Sequence, residues 1–127
     1  MPQFKLDGLK LKIPQACIND NIREAITQGR YEGNETTATK HHVRPTDRVL
    51  DLGGGAGYVA FQAARIVGAA NVTTVEASPA MFKAIGESAE KNGMDDLRAL
   101  HGAVVPDAYD EDSVSFEVLP GFWASSV

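Results

Sequence analysis

The sequence predicts an α/β domain with a parallel sheet, preceded by a small hairpin and two short helices. Three observations predict it. Residues 48–52, 71–76 and 97–105 are short apolar runs rich in Val, Leu and Thr, the composition of buried strands. Residues 58–67 and 79–91, between those runs, space their apolar positions three and four apart, as on one helix face. A glycine-rich turn joins the first of these strands to the first of these helices. Strand and helix in alternation give parallel strands with right-handed crossovers.

Each element has its own local reason. Phe4-Lys5-Leu6 and Leu9-Lys10-Leu11-Lys12-Ile13 alternate at period two around Asp7-Gly8, a hairpin turn signal. Asn19 or Asp20 can cap a short helix carrying Ile22, Ala25 and Ile26, with Gly29 as its stop. Residues 29–34 read as a loop and 35–42 as a second short helix that ends before Arg44-Pro45. Gly68 closes the helix over 58–67. Ser78 is a good N-cap for the helix over 79–91, and Pro79 suits its first position. Residues 113–118 alternate like one more strand, expected to be antiparallel. The chain is read as one domain: an N-terminal part over 1–46 and a β-α-β-α-β core with its terminal strand over 47–127.

Composition narrows the function classes. With 127 residues the chain can bury one real core. Its net charge of −5 argues against a nucleic-acid partner, which calls for a basic face. No apolar run reaches the roughly 20 residues of a membrane helix, and the N-terminus lacks a signal-peptide core. The single cysteine, Cys17, excludes an internal disulfide framework and a Cys-rich zinc site, so a cytoplasmic setting is expected.

The chemistry concentrates in Asp51-Leu52-Gly53-Gly54-Gly55-Ala56-Gly57. Gly53, Gly55 and Gly57 lie between a strand and a helix, where glycine permits positive φ and close approach of a ligand. The helix behind them offers free N–H groups to a carboxylate. Ligands of such sheets bind beyond the carboxyl ends of the strands. Gly55-Ala56-Gly57-Tyr58-Val59-Ala60 also fits the dinucleotide pattern, but Asp51 beside the loop would repel a pyrophosphate. S-adenosylmethionine has no phosphate and carries an ammonium and a sulfonium, which suit a carboxylate there. Glu76 ends the next strand, and its two oxygens suit the two hydroxyls of a ribose. That pairing serves either cofactor.

The run 49–57 resembles the first motif of the class I S-adenosylmethionine-dependent methyltransferases, and 72–79 resembles their second. More narrowly, the chain resembles the FkbM-type methyltransferases, largely O-methyltransferases. The supporting stretches are Gly29-Arg30-Tyr31-Glu32, Glu76-Ala77-Ser78-Pro79, 100–105 and the tail 119–126. The resemblance implies a Rossmann-like three-layer sandwich with an incomplete parallel sheet. It also implies roles. Gly53, Gly55 and Gly57 would pass beneath the methionine part and the ribose, Asp51 would help hold the amino group, and Glu76 would take the ribose hydroxyls. Ala77 would lie against adenine. Relatives often place an acid after the third strand for the adenine amine; here that stretch is His101-Gly102-Ala103, so backbone groups of Gly102 and Ala103 would serve. Tyr31 and Glu32 would cover the cofactor.

The expected partner is a small-molecule or glycan acceptor of a methyl group, with no nucleic acid and no membrane. The resemblance further implies truncation after the third core strand, which leaves the first strand's outer edge open. An open apolar edge invites pairing, so a homodimer or a covering neighbour is expected. No catalytic residue and no metal ligand is assigned. His41 and His42 face different sides of a helix, His101 reads as a strand-end histidine, and Asp107, Asp110, Glu111 and Asp112 read as an acidic loop. Phe122 and Trp123 read as packing or contact residues. Two alternatives stand beside a methyltransferase: a non-catalytic S-adenosylmethionine-binding fragment, and an NAD-dependent oxidoreductase.

Overall fold

The computed structural model describes residues 1–117 and Gly121. Strands β1 (Gln3–Leu6) and β2 (Leu9–Lys12) pair antiparallel, with Leu6 opposite Leu9. Asp7 and Gly8 both take positive φ, 49° and 77°, as a tight type I′ hairpin turn requires. Helix α1 (Asp20–Thr27) starts where the Asn19 side chain accepts from the Ile22 N–H at 2.9 Å, and it buries Ile22, Ala25 and Ile26. Helix α2 (Gly33–His42) begins two residues before its expected start, within the expected 29–34 loop. Glu32 turns the chain into it with a left-handed φ of 48°, and its carbonyl accepts from Thr36 N–H at 2.9 Å.

The core follows as strand β3 (Val49–Leu52), helix α3 (Tyr58–Val67), strand β4 (Val72–Glu76), helix α4 (Pro79–Lys91) and strand β5 (Arg98–His101). The three strands are parallel in the order β3-β4-β5. Both crossovers step the same way along the sheet, so α3 and α4 cover the same face. Val72, Thr74 and Glu76 point into that face and are buried beneath Phe61, Met81 and Ile85. The hairpin belongs to the same core: Leu9, Leu11 and Ile13 cluster with Phe61 and Ile85. Lys12 N–H donates to Ser88 Oγ at 2.8 Å, while Asn92 both accepts from the Lys10 N–H and donates to its carbonyl. These bonds fasten β2 along α4.

The hairpin turn is fastened to α3 as well. The Asp7 carboxylate accepts from Gln62 Nε2 and Arg65 at 2.8 Å, and from Lys40 at 3.1 Å. The Gln62 hydrogen bond and then the Lys40 one hold its pKa down at about 2, with Arg65 adding attraction. A depressed carboxylate stabilises the fold above its unfolded value of 3.8, and that help is lost as the pH falls through about 2. Asp7→Asn should therefore lower stability at neutral pH, where the wild type has the full benefit, and flatten acid unfolding, followed by circular dichroism, across that window. An acid transition unchanged from the wild type would contradict this.

The other face of the sheet is apolar and open. Leu50 and Leu52 are 63% and 55% exposed, and register places Leu52 beside Val75 and Leu100. The outer edge of β3 has no strand partner among the described residues. No helix among them is long and apolar enough to cross a membrane.

Two expected strands are corrected. The third core strand ends at His101 rather than at residue 105, because its neighbour β4 ends opposite it at Glu76; Gly102 N–H makes the last bond, to the Glu76 carbonyl at 3.1 Å. The expected terminal strand over 113–118 forms no ladder within 113–117, where Glu117 has only an isolated bridge. Its alternation reflects one side lying against the strand ends, since Phe116 lines a cleft there. Val118, the stretch 119–120 and the Phe122-Trp123 pair lie outside the described residues.

Candidate cofactor cleft

The turn after β3 curls over the carboxyl end of β4. Gly53 and Gly54 N–H groups both donate to the Val75 carbonyl, at 2.9 and 3.0 Å. Gly53 does so at a φ of 82°, which only glycine adopts without strain. Gly55 N–H then donates to Glu76 Oε2 at 2.7 Å, and Ser78 N–H donates to Glu76 Oε1 at 2.8 Å. The Glu76 carboxylate is thereby clamped between the glycine loop and the start of α4. Each oxygen keeps a further acceptor site.

A cleft of about 400 Å³ opens above this clamp. Its walls include Glu32, Gly53, Gly55, Glu76, Ala77, Gly102, Ala103 and Phe116. A Cβ built at Gly53 or Gly102 would meet no atom within 4 Å, so both glycines border open space. An adjoining hollow of about 600 Å³ shares Glu32, Leu52 and Gly53 with the cleft and adds Asp51, Arg30 and Glu35. A third hollow continues past Ala77, Gly102 and Ala103 towards Tyr109, Glu111 and Asp112. The three form one groove across the strand ends.

Asp51 is paired in register with Thr74 and accepts from its Oγ1 at 2.9 Å. Burial pushes its carboxyl up, the Thr74 hydroxyl opposes this, and the Glu76 charge adds to it. Burial, with Glu76 nearby, also pushes up the Cys17 thiol. His101 is already engaged: Nε2 donates to the Ala77 carbonyl at 3.1 Å, and its ring stacks on Phe82 at 5.2 Å.

Eight of the expected site residues come together on this groove: Asp51, Gly53, Gly55, Glu76, Ala77, Gly102, Ala103 and Glu32. Two do not. Tyr31, expected to cover the cofactor, is 1% exposed in the core, with its ring 5.8 Å from that of Tyr58. An aromatic ring next to a helix start gains more from burial than from roofing an open cleft. Gly57 lies behind the loop as the N-cap of α3, under the Phe61 ring, and not on the cleft wall. The sequence reading missed Gly54, where a Cβ would strike Thr74 Oγ1 and sit 3.0 Å from Ile85 Cδ1. It also missed Thr74, the partner of Asp51, and Phe116. Register reveals Thr74, and close packing across the layers reveals Gly54.

The raised Asp51 pKa has a testable sign. The native state holds that proton more tightly than the unfolded chain, so ionising it costs stability as the pH rises. Asp51→Asn should equal or exceed the wild type in thermal stability at neutral pH. Its relative advantage should shrink towards about pH 4, where the unfolded acid also protonates. Thermal melts of both proteins across that range check this; an advantage that grows on acidification would contradict it.

The methyltransferase-domain family profile matches residues 49–121, the stretch that builds the loop, the clamp and the cleft. No curated protein matches the sequence. Among solved structures, a Pyrococcus horikoshii protein assigned as a transferase is similar at 22% identity with a TM-score of 0.61, over 80% of this chain and 36% of that one. TYW2 of P. horikoshii, solved with MeSAdo, is similar at 20% identity and a TM-score of 0.57, over 80% and 35%. The geranyl diphosphate C-methyltransferase of Streptomyces coelicolor A3(2), solved with Mg2+, geranyl diphosphate and S-adenosyl-L-homocysteine, is similar at 22% and 0.54, over 86% and 46%. The chain thus spans between about a third and a half of the length of these proteins. Loop, strand order and profile agree: the chain belongs to the methyltransferase-domain family and has its Rossmann-like α/β fold.

Proposed function

We propose that the groove binds S-adenosylmethionine and serves methyl transfer, to an oxygen of a small molecule or glycan as the FkbM-type resemblance implies. The observation that carries the cofactor reading is the charge of the cleft. Among the described residues, the charged residues on its wall are carboxylates, Glu32 and Glu76, with Asp51 next to them in the adjoining hollow. A phosphate-bearing dinucleotide meets repulsion there, while an ammonium and a sulfonium meet attraction. The order of groups along the groove also fits. Asp51 and Glu32 suit the amino group, Arg30 the carboxylate, Glu76 the ribose hydroxyls, and Ala77 with Gly102 and Ala103 the adenine.

S-adenosylmethionine, when bound, supplies an electrophilic methyl on its sulfonium. The residues of this chain contribute binding and orientation, which can account for most of the acceleration of such a transfer. The open β3 edge and its Leu50 and Leu52 favour association of two copies, a homodimer that light scattering tests directly; a monomer over a broad concentration range would overturn that part.

Calorimetry with S-adenosylhomocysteine and with NAD tests the central reading. We expect a dissociation constant on the order of micromolar for the first and no heat for the second. Binding of NAD alone would overturn it in favour of an oxidoreductase. Turnover on a panel of hydroxylated acceptors supports transfer; binding without any turnover assigns the chain as a cofactor-binding module.

A further inference from the structure

Two residues on one face of β4 reach the glycine loop from beneath. Glu76 clamps Gly55. Thr74, two positions earlier and fully buried, acts on a different part of the loop. Its Oγ1 donates to Asp51 Oδ2 at 2.9 Å, within the register pair that joins β3 to β4. The same Oγ1 occupies the space that a Cβ at Gly54 would need. One hydroxyl thus holds the acid that precedes the loop and lies directly under the loop itself. A valine has the same shape and would fill this space without a polar atom. Burying a hydroxyl is unfavourable unless it is hydrogen-bonded, and Asp51 is the partner that this one has.

The surroundings of Asp51 make that bond consequential. The charged groups facing it are Glu76 from β4 and, across the hollow, Arg30, Glu32 and Glu35 around the start of α2. Helix α3, packed on β3, brings Tyr58, which is buried beside Tyr31, and Arg65, which is held at the hairpin by Asp7. Acids thus outnumber bases around Asp51, and burial adds to the cost of its charge. The Thr74 hydroxyl opposes both, because it donates to the ionised carboxylate. An ionised carboxylate has about four acceptor positions, and this bond uses one of them. The others are open to the N–H groups of an ammonium. A protonated Asp51 would lose its charge and set an O–H against that ammonium. We propose that Thr74 is a positioning residue for the cofactor's amino group: its hydroxyl, wedged beneath Gly54, orients the Asp51 carboxylate and favours its ionised, accepting form. This rests on the reading of the groove as an S-adenosylmethionine site.

The test compares wild type, Thr74→Val, Thr74→Ala and Thr74→Ser, each checked for folding by circular dichroism. The first readout needs no ligand. The carbon-13 shift of the Asp51 side-chain carboxyl, assigned by its loss in Asp51→Asn, is followed by NMR against pH. Thr74→Val and Thr74→Ala both remove the hydroxyl, so both should move the Asp51 titration to higher pH. Thr74→Ser keeps the hydroxyl and should restore the wild-type midpoint, although it gives up a buried methyl. The second readout is calorimetry with S-adenosylhomocysteine between about pH 5.5 and 8.5. Its ammonium binds the ionised acid, so affinity rises as the pH rises through the Asp51 titration. The hydroxyl-free variants should bind on the order of tenfold more weakly than wild type at the acid end and rejoin it at the alkaline end. A merely structural role would weaken binding equally at every pH. That result, or an Asp51 titration unmoved by losing the hydroxyl, overturns this inference while the cofactor reading stands. If wild type binds no S-adenosylhomocysteine at any pH, both fall.

Discussion

Glu76→Ala should abolish detectable binding of S-adenosylhomocysteine and also lower the stability of the free protein. Two effects arise from one carboxylate. In the free protein its oxygens accept from Gly55 N–H at 2.7 Å and Ser78 N–H at 2.8 Å, and the side chain is only 8% exposed. Alanine leaves both donors without their partner. The Ser78 bond is buried, so water replaces it poorly, whereas Gly55 faces the cleft. A loss of about 3 kcal/mol is expected for the pair. In the complex, the same oxygens would also lose the ribose hydroxyls, on the order of a thousandfold in affinity. Glu76→Gln separates the two. Its amide keeps one acceptor but sets an NH2 group against one of the two backbone N–H donors, so it should be intermediate in both measurements. Urea unfolding and calorimetry on the two variants check this. Affinity within about threefold of wild type for Glu76→Ala would remove Glu76 from the cofactor site.

Gly57→Ala should be strongly destabilising. Gly57 takes a φ of 88° at the N-cap of α3, where an L side chain costs roughly 1–2 kcal/mol. The added Cβ would also lie 2.8 and 2.9 Å from Cζ and Cε2 of Phe61. Phe61 is fully buried, and a ring in a close-packed core has little room to retreat. The sum is expected near 3 kcal/mol, read by urea unfolding. The steric part runs through one neighbour, so a double-mutant cycle isolates it. Gly57→Ala should cost less in a Phe61→Leu background than alone. Equal costs in both backgrounds would show that the Phe61 contact is not the cause.

Much of the fold is legible in local signals. The Asp7-Gly8 turn, the Asn19 and Ser78 caps, Pro79 and the terminating glycines act over a few residues, so their elements lie where sequence places them. The limits of α3 and α4 match their expected ranges for that reason. Strand ends are different. The third core strand stops at His101 because β4 offers it no partner beyond Glu76, and residues 113–117 alternate without forming a ladder because a cleft lies under Phe116. Alternation reports that a segment has two unlike sides, and pairing depends on what lies beside it.

The same division holds in the site. The sequence by itself determined a glycine loop between strand and helix, with an acid before it and an acid at the end of the next strand. Those follow from spacing along the chain. Only the tertiary structure decided what these groups touch. It ties the Glu76 carboxylate to Gly55 and Ser78, pairs Asp51 with Thr74, sends Tyr31 into the core, withdraws Gly57 behind the cleft and brings Phe116 to its mouth. Each of these depends on register between strands or on close packing across layers. Those contacts join residues far apart in sequence, and no local pattern encodes them.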